Sequence, residues 1–265
     1  MIRKTRLYTP GPTPLLPAAQ FAMAAADMHH RTAEFRALFQ KVLAQLKVFV
    51  GTKNDVLLLA CSGTGAMEAS VSNLTSPGDK VLVLTAGKFG ERWVDLAKAF
   101  GCVADVVEKP YGQTFDLAQV KAALKPEHKA VYMQATETST AVRHDVEAVA
   151  TLMKETGSQA LLVVDGITGL GTTHFDVDAW GIDVIIGGSQ KALMIPPREM
   201  KVPKGNFFSF QFLLLARTDG SASSSNANAA PTTTPSPRES NHSLMAQNHP
   251  PSIAISFTSP KPMPS

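Results

Sequence analysis

The sequence predicts an α/β fold, with a mostly parallel sheet and helices on both faces. Three observations lead there. Short continuous apolar runs such as Val81-Leu82-Val83-Leu84 and Leu161-Leu162-Val163-Val164 recur along the chain, as expected of strands buried on both sides. Between these runs lie stretches whose apolar residues recur at helical spacing. Turn clusters such as Ser76-Pro77-Gly78-Asp79 punctuate the alternation. With 265 residues, 44% of them hydrophobic, the chain is long enough to bury a sizeable core.

Residues 1–30 read as an N-terminal arm and a short helix. The three prolines of Thr9-Pro10-Gly11-Pro12-Thr13-Pro14 exclude regular helix, and the alanine-rich stretch 17–28 suits a short one. A second helix is expected over 33–50, where Phe35, Leu38, Phe39, Val42, Leu43, Leu46 and Val50 form one stripe and Gly51 ends it. Strands are then expected at 56–60, 80–85, 103–107, 130–134, 160–164 and 183–186. Helices are expected at 65–74, 91–100, 116–124 and 146–156. This alternation makes 31–197 one large domain of the parallel type. Past Pro197 the character changes. Residues 201–216 hold a Phe-Leu cluster without a period, and Ser, Asn, Ala, Thr and Pro dominate from there to Ser265. The segment 198–265 is therefore expected to be an atypical, disordered tail.

A formal charge of +3 is too small for a nucleic-acid or membrane-binding surface. The two cysteines, Cys61 and Cys102, lie in or beside apolar runs with no CxxC motif, as buried thiols of a reducing compartment do. The basic start leads into Pro10-Gly11-Pro12 instead of an apolar signal core. The apolar run 207–216 is too short to span a bilayer as a helix. A soluble, cytoplasmic protein is the expectation.

The candidate chemistry gathers at strand exits. Ser62-Gly63-Thr64-Gly65-Ala66-Met67-Glu68 follows one strand and opens a helix, which suits either an anion at a helix N-terminus or a plain tight turn. It lacks the Gly-Lys-Ser/Thr of a P-loop and the third glycine of a dinucleotide fingerprint. Asp165 ends another strand, where a carboxylate is costly unless it meets donors or a cation. It reads as a turn residue, a metal ligand or the partner of a protonated heterocycle. No metal spacing surrounds it, and His174, Asp176 and Asp178 read as surface residues. Phe89, between Gly87 and Gly90, is either a core residue or a surface for a flat ligand, and Thr136-Glu137-Thr138-Ser139-Thr140 offers hydroxyls at the same rim. Lys191 follows the last strand in Gly187-Gly188-Ser189-Gln190-Lys191-Ala192; desolvation at a sheet edge would favour its neutral amine. Collected on one rim, these groups match what pyridoxal 5'-phosphate needs: a helix N-terminus for phosphate, an aromatic for the ring, an acid for the ring nitrogen and a lysine for the aldehyde.

With these motifs in order, the sequence resembles the class V aminotransferases of fold type I, nearest to the alanine–glyoxylate and serine–pyruvate group. The resemblance runs from about Tyr8 to Pro197, carried also by Gly87-Lys88-Phe89-Gly90-Glu91-Arg92 and Glu137-Thr138-Ser139-Thr140. It implies that Lys191 holds pyridoxal 5'-phosphate as an internal aldimine and then moves the substrate proton. It implies that Asp165 pairs with the ring nitrogen, that Gly63, Thr64 and Gln190 contact the phosphate, and that Thr138 reaches the cofactor oxygen. Phe89 takes the stacking position, often tryptophan in relatives, and Gly11 would lie near the substrate.

The implied reaction moves an amino group from alanine or serine to glyoxylate or another small 2-oxo acid, in a homodimer. Histidine usually precedes the lysine in cysteine desulfurases; here Gln190 does. After Pro197 nothing resembles the family's remaining large-domain segment, its C-terminal small domain or its substrate-carboxylate arginine, for which Arg143 and Arg198 stand only by default. A non-catalytic remnant that at most binds cofactor, or a related pyridoxal-phosphate lyase or desulfurase, is the alternative expectation.

Overall fold

The computed structural model describes residues 7–196 and 210–215. In chain order the elements are α1 (Pro17–Met23), α2 (Ala33–Val50), β1 (Asp55–Ala60), α3 (Gly63–Leu74), β2 (Lys80–Thr85), α4 (Lys88–Ala99), β3 (Val103–Glu108) and α5 (Leu117–Ala123). There follow β4 (His128–Gln134), β5 (Thr136–Glu137), β6 (Val142–Arg143), α6 (Val146–Glu155), β7 (Leu161–Asp165), α7 (Val177–Trp180), β8 (Val184–Gly188) and β9 (Phe210–Leu215). All six expected strands and all six expected helices are present. The hairpin β5–β6, the single turn α7 and strand β9 were not anticipated.

Local chemistry sets several of the boundaries. Thr32 accepts a hydrogen bond from the Phe35 N–H at 3.2 Å, opening α2. Gly51, in the left-handed region at φ 77°, closes that helix. Asp116 and Asp145 cap α5 and α6 in the same manner as Thr32. Helix α1 stops at Met23, short of the expected 28. Helix α4 begins at Lys88, three residues ahead of the expected start, so Phe89 lies in its first turn.

The strands form a seven-stranded sheet in the order β1-β9-β8-β7-β4-β2-β3. Strands β8, β7, β4, β2 and β3 run parallel, while β9 lies antiparallel to both β1 and β8. The expected disordered tail needs correcting here. Residues 210–215 form the strand that joins β1 to the rest of the sheet, with Leu213 opposite both Leu57 and Ile186. A strand slotted between two open edges gains backbone hydrogen bonds on both sides, a gain that composition does not reveal. The remainder of 198–265, Arg198 included, lies outside the described residues.

The period of two inside the apolar runs divides the core. Leu82, Leu84, Val131, Met133, Leu162, Val164 and Ile185 point to the face covered by α2, α5, α6 and α7. Val81, Val83, Ala130, Tyr132, Val163, Val184 and Ile186 point to the face covered by α3 and α4, where Trp93 stacks on Tyr132 at 4.7 Å between centroids. Both faces are therefore buried, as the continuous apolar strands predict. Because β1 is antiparallel to β9 and β9 to β8, the C-terminal ends of β1, β2, β4, β7 and β8 share one rim. No helix among the described residues is long and apolar enough to cross a membrane.

Candidate active site

The rim carries a cavity of about 240 Å³ lined by Gly63, Thr64, Phe89, Thr138, Asp165, Gln190 and Lys191, each contributed from the end of a strand or the turn that follows it. All seven residues expected to hold a cofactor thus meet in one place. Crevices outside the carboxyl ends of strands are where open α/β sheets bind ligands, because loops diverge there and leave space.

At one end stands the N-terminus of α3. The Ser62 side chain accepts from the Gly65 N–H at 3.1 Å and so caps the helix. The first-turn N–H groups of a helix have no intrahelical partner and form an anion site; here, with the Gly65 N–H taken by Ser62, they belong to Gly63 and Thr64. A side chain at Gly63 would bring its Cβ within 2.8 Å of Ile167 Cδ1, so the backbone lies in close contact with the cavity wall.

Asp165 ends β7 and is 7% exposed. Its Oδ1 accepts from the Ile167 N–H at 2.9 Å, and among the described residues no hydrogen bond is seen at Oδ2. Burial, with Glu137 nearby, lifts its pKa to about 6 against the pull of the Ile167 N–H, Arg92 and Lys191. Thr138 and Thr168 share a hydroxyl–hydroxyl hydrogen bond of 2.7 Å beside it.

Lys191 follows β8 in a tight turn, with Lys191 N–H donating to Gly188 O and Met194 N–H to Lys191 O. Burial lowers its pKa, partly opposed by Asp165. Its Nζ donates to Pro10 O at 2.7 Å. The N-terminal arm is stitched onto the same turn: Thr13 N–H donates to Gln190 O at 2.9 Å, and the Thr13 hydroxyl to Lys191 O at 2.8 Å. Gly11 is thereby pressed against the lysine, and a Cβ there would lie 2.5 Å from Nζ. Gly11 stands beside the lysine, outside the cavity lining. A second cavity of about 470 Å³, bounded by Tyr8, Thr13, Gly171, Ala192 and Met194, has Lys191 in its wall as well.

Two further groups of the cavity carried no expected role. Thr168 pairs with Thr138 as described. Arg92 lines the wall with its guanidinium 5.0 Å from the Phe89 ring centroid. Residues three apart on a helix share a face, so the contact follows once α4 begins at Lys88; a helix starting at 91 would have hidden it. Among the described residues no cluster of three or more His, Cys, Asp or Glu suits a metal ion. Arg143, one of the two default substrate clamps, borders a different pocket together with His144 and Trp180.

Comparison with known proteins agrees with this geometry. The class-V aminotransferase family model matches residues 18–197. The chain is 45% identical over 198 residues to the soluble hydrogenase 42 kDa subunit of Anabaena cylindrica, across 73% of this chain and 51% of that protein. It is 35% identical over 198 residues to serine–glyoxylate aminotransferase of Methylorubrum extorquens, across 73% and 49%. The solved aspartate aminotransferase of subgroup IV from Thermus thermophilus superposes with a TM-score of 0.72 at 36% identity, covering 80% of this chain and 57% of that one. Alanine–glyoxylate aminotransferase from Nostoc sp. gives 0.72 at 31% identity, covering 82% and 54%. The chain spans about half the length of the curated relatives it matches. Its sheet is that of the large domain of fold type I aminotransferases. By fold and by the match over 18–197, the chain belongs to the class-V aminotransferase family.

Proposed function

We propose that the cavity binds pyridoxal 5'-phosphate and that the complete site transfers an amino group from a small amino acid, alanine or serine, to glyoxylate or another small 2-oxo acid. One observation carries the reading: Lys191 and Asp165 line the same cavity as an open helix N-terminus. The residues suit the group. Gly63, Thr64 and Gln190 face an anion, Phe89 offers a ring face, and Asp165 Oδ2 awaits a cationic donor such as a protonated ring nitrogen. Bound there, the cofactor supplies an aldehyde that condenses with amines and a ring that takes up the electrons of a breaking bond.

The chain's own residues do the rest. Burial lowers the Lys191 pKa and so favours the neutral amine, the form able to attack a carbonyl and then to take a proton at Nζ from the substrate α-carbon and return it. Asp165 holds negative charge against the ring nitrogen. Thr138 and Thr168 orient polar groups at the ring's edge, and Gly11 leaves room beside Nζ for the substrate. The relatives named as glyoxylate aminotransferases support the acceptor.

A second reading, cofactor binding without turnover, is favoured by the chain's spanning about half of the curated relatives it matches and by Arg143 bordering a pocket other than the cavity that holds Lys191. A homodimer fits either reading, since Phe21, Met23, Leu38, Phe39 and Val48 expose apolar side chains on α1 and α2. Adding pyridoxal 5'-phosphate to the purified chain should raise a visible absorbance band that Lys191→Ala abolishes. Bleaching by alanine, with recovery on glyoxylate, marks a transaminase; a stable band marks the second reading. No band in the parent refutes both.

A further inference from the structure

The structure assigns Glu137 as the residue that positions Phe89 and Thr138 against the ring of the ligand, an inference that rests on the reading of the cavity as a pyridoxal-phosphate site. Glu137 is fully buried, at 0% exposure. Its Oε2 accepts from the N–H groups of Phe89 and Gly90, each at 3.1 Å. Its Oε1 accepts from the Ser139 N–H at 3.1 Å and the Ser139 hydroxyl at 2.6 Å. A buried carboxylate is expensive unless donors surround it; here the donors come from two different segments.

One of those segments is the first turn of α4. Its N-cap residue, Gly87, has no side chain with which to cap it. The capping is done from outside, by Glu137 for Phe89 and Gly90 and by the Ser139 hydroxyl for the Lys88 N–H at 3.2 Å. The lack of a side chain at Gly87 is a condition of this arrangement. A Cβ there would stand 2.4 Å from Glu137 Cγ, leaving the carboxylate no path to the helix. Gln134 completes the hold, donating from Nε2 to Phe89 O at 2.7 Å, so both backbone polar groups of Phe89 are fixed. Glu137 is itself the neighbour of Thr138, whose hydroxyl is tied to Thr168. One side chain therefore sets the spacing between the aromatic surface and the hydroxyl that line the same cavity.

Glu137→Gln keeps the size and removes the bivalent acceptor. Whichever way the amide turns, its NH2 faces backbone N–H groups, either those of Phe89 and Gly90 or that of Ser139. In the ligand-free full-length chain, hydrogen exchange at the Phe89 and Gly90 amides should quicken roughly tenfold or more, the scale set by losing a charge-assisted hydrogen bond. Exchange in β7 and α6 should not change. With pyridoxal 5'-phosphate added, the visible circular dichroism per mole bound should fall to roughly half or less, because a ring no longer held between fixed groups loses its asymmetric surroundings.

Ser139→Ala, which removes one donor and the Lys88 contact but leaves the carboxylate, should move both readouts the same way by a smaller step. It carries the test if Glu137→Gln does not fold. Unchanged exchange at Phe89–Gly90, or parental dichroism per bound ligand, overturns the inference. A parent that binds no pyridoxal 5'-phosphate overturns the reading of the cavity and the positioning role with it. The exchange arm, run without ligand, tells that failure apart from a failure of the capping.

Discussion

Replacing Asp165 by asparagine should make the ligand-free protein more stable at neutral pH. Burial raises the Asp165 pKa from an ordinary 3.8 to about 6, and at 1.36 kcal/mol per unit that difference is worth about 3 kcal/mol. The sign follows from proton counting. Between 3.8 and about 6 the folded chain holds a proton that the unfolded chain has released, so stability falls as pH rises through that window, and above it the full cost is present. Asparagine is neutral throughout and pays none of it. Its amide oxygen can still accept from the Ile167 N–H, and its NH2 takes the place of Oδ2 at the cavity. At 7% exposure the residue has little solvent to screen the effect. Urea unfolding of parent and variant at about pH 4 and about pH 7 should therefore show a small difference at the first and about 3 kcal/mol in the variant's favour at the second. The same variant should bind pyridoxal 5'-phosphate more weakly, having lost the charge facing the ring nitrogen. A difference in stability that does not change with pH, or a variant less stable at neutral pH, would refute the reasoning.

Four further outcomes are expected. Gly11→Ala must push Lys191 Nζ away from a Cβ 2.5 Å distant at a φ of 150°, so the visible band formed with pyridoxal 5'-phosphate should drop roughly tenfold while unfolding shifts by only about 1–3 kcal/mol. Thr32→Ala, losing the cap on α2, should cost about 1 kcal/mol in urea unfolding. His144, 2% exposed and stacked on Phe115, has its pKa lowered by burial from 6.5 to about 4. Its folded form resists protonation, so stability should fall by up to about 3 kcal/mol as pH drops through that window, and His144→Gln should flatten the fall. Leu213→Pro, removing a ladder N–H from the strand between β1 and β8, should cost about 1–3 kcal/mol in unfolding.

What the sequence disclosed depended on how local the cause was. Strand β2 runs from Lys80 to Thr85, as its apolar run requires, since burial on both faces leaves its mark in consecutive residues. Lys191 and Asp165 were legible because strand exits are local features and each stands directly at one. The start of α4 was not legible, because the group that caps it, Glu137, is 47 positions away and Gly87 alone reads as a loop. Arg92 stayed hidden for the same reason, since its contact with Phe89 exists only on a helix that begins early enough to include both. The meeting of Pro10 with Lys191 spans 181 positions, and only the family motif pointed to the arm. Strand β9 has no period to read; what makes it a strand is the pair of edges that receive it.

That last strand bears on the site more than its position in the chain suggests. Strand β1 reaches the sheet through β9, and β1 is the strand that delivers Ser62, Gly63 and Thr64. Strand β8, on the other side of β9, delivers Gln190 and Lys191. The distance between the α3 end of the cavity and its lysine is therefore set partly by the width of one strand taken from the segment expected to be unstructured. Helix α3 also packs on β8 directly, which gives the α3 end of the cavity a second tether to the lysine strand. If that tether sufficed, loss of β9 would lower global stability and leave the cavity's affinity for pyridoxal 5'-phosphate intact. If β9 is the main spacer, affinity and stability fall together. Adjacent strands lie about 4.8 Å apart, so β1 and β8, on either side of β9, stand roughly two such spacings apart, and a cavity built from both tolerates little change in that width. The geometry therefore favours coupled loss, so the strand after the family match bears on the cavity as much as on the fold.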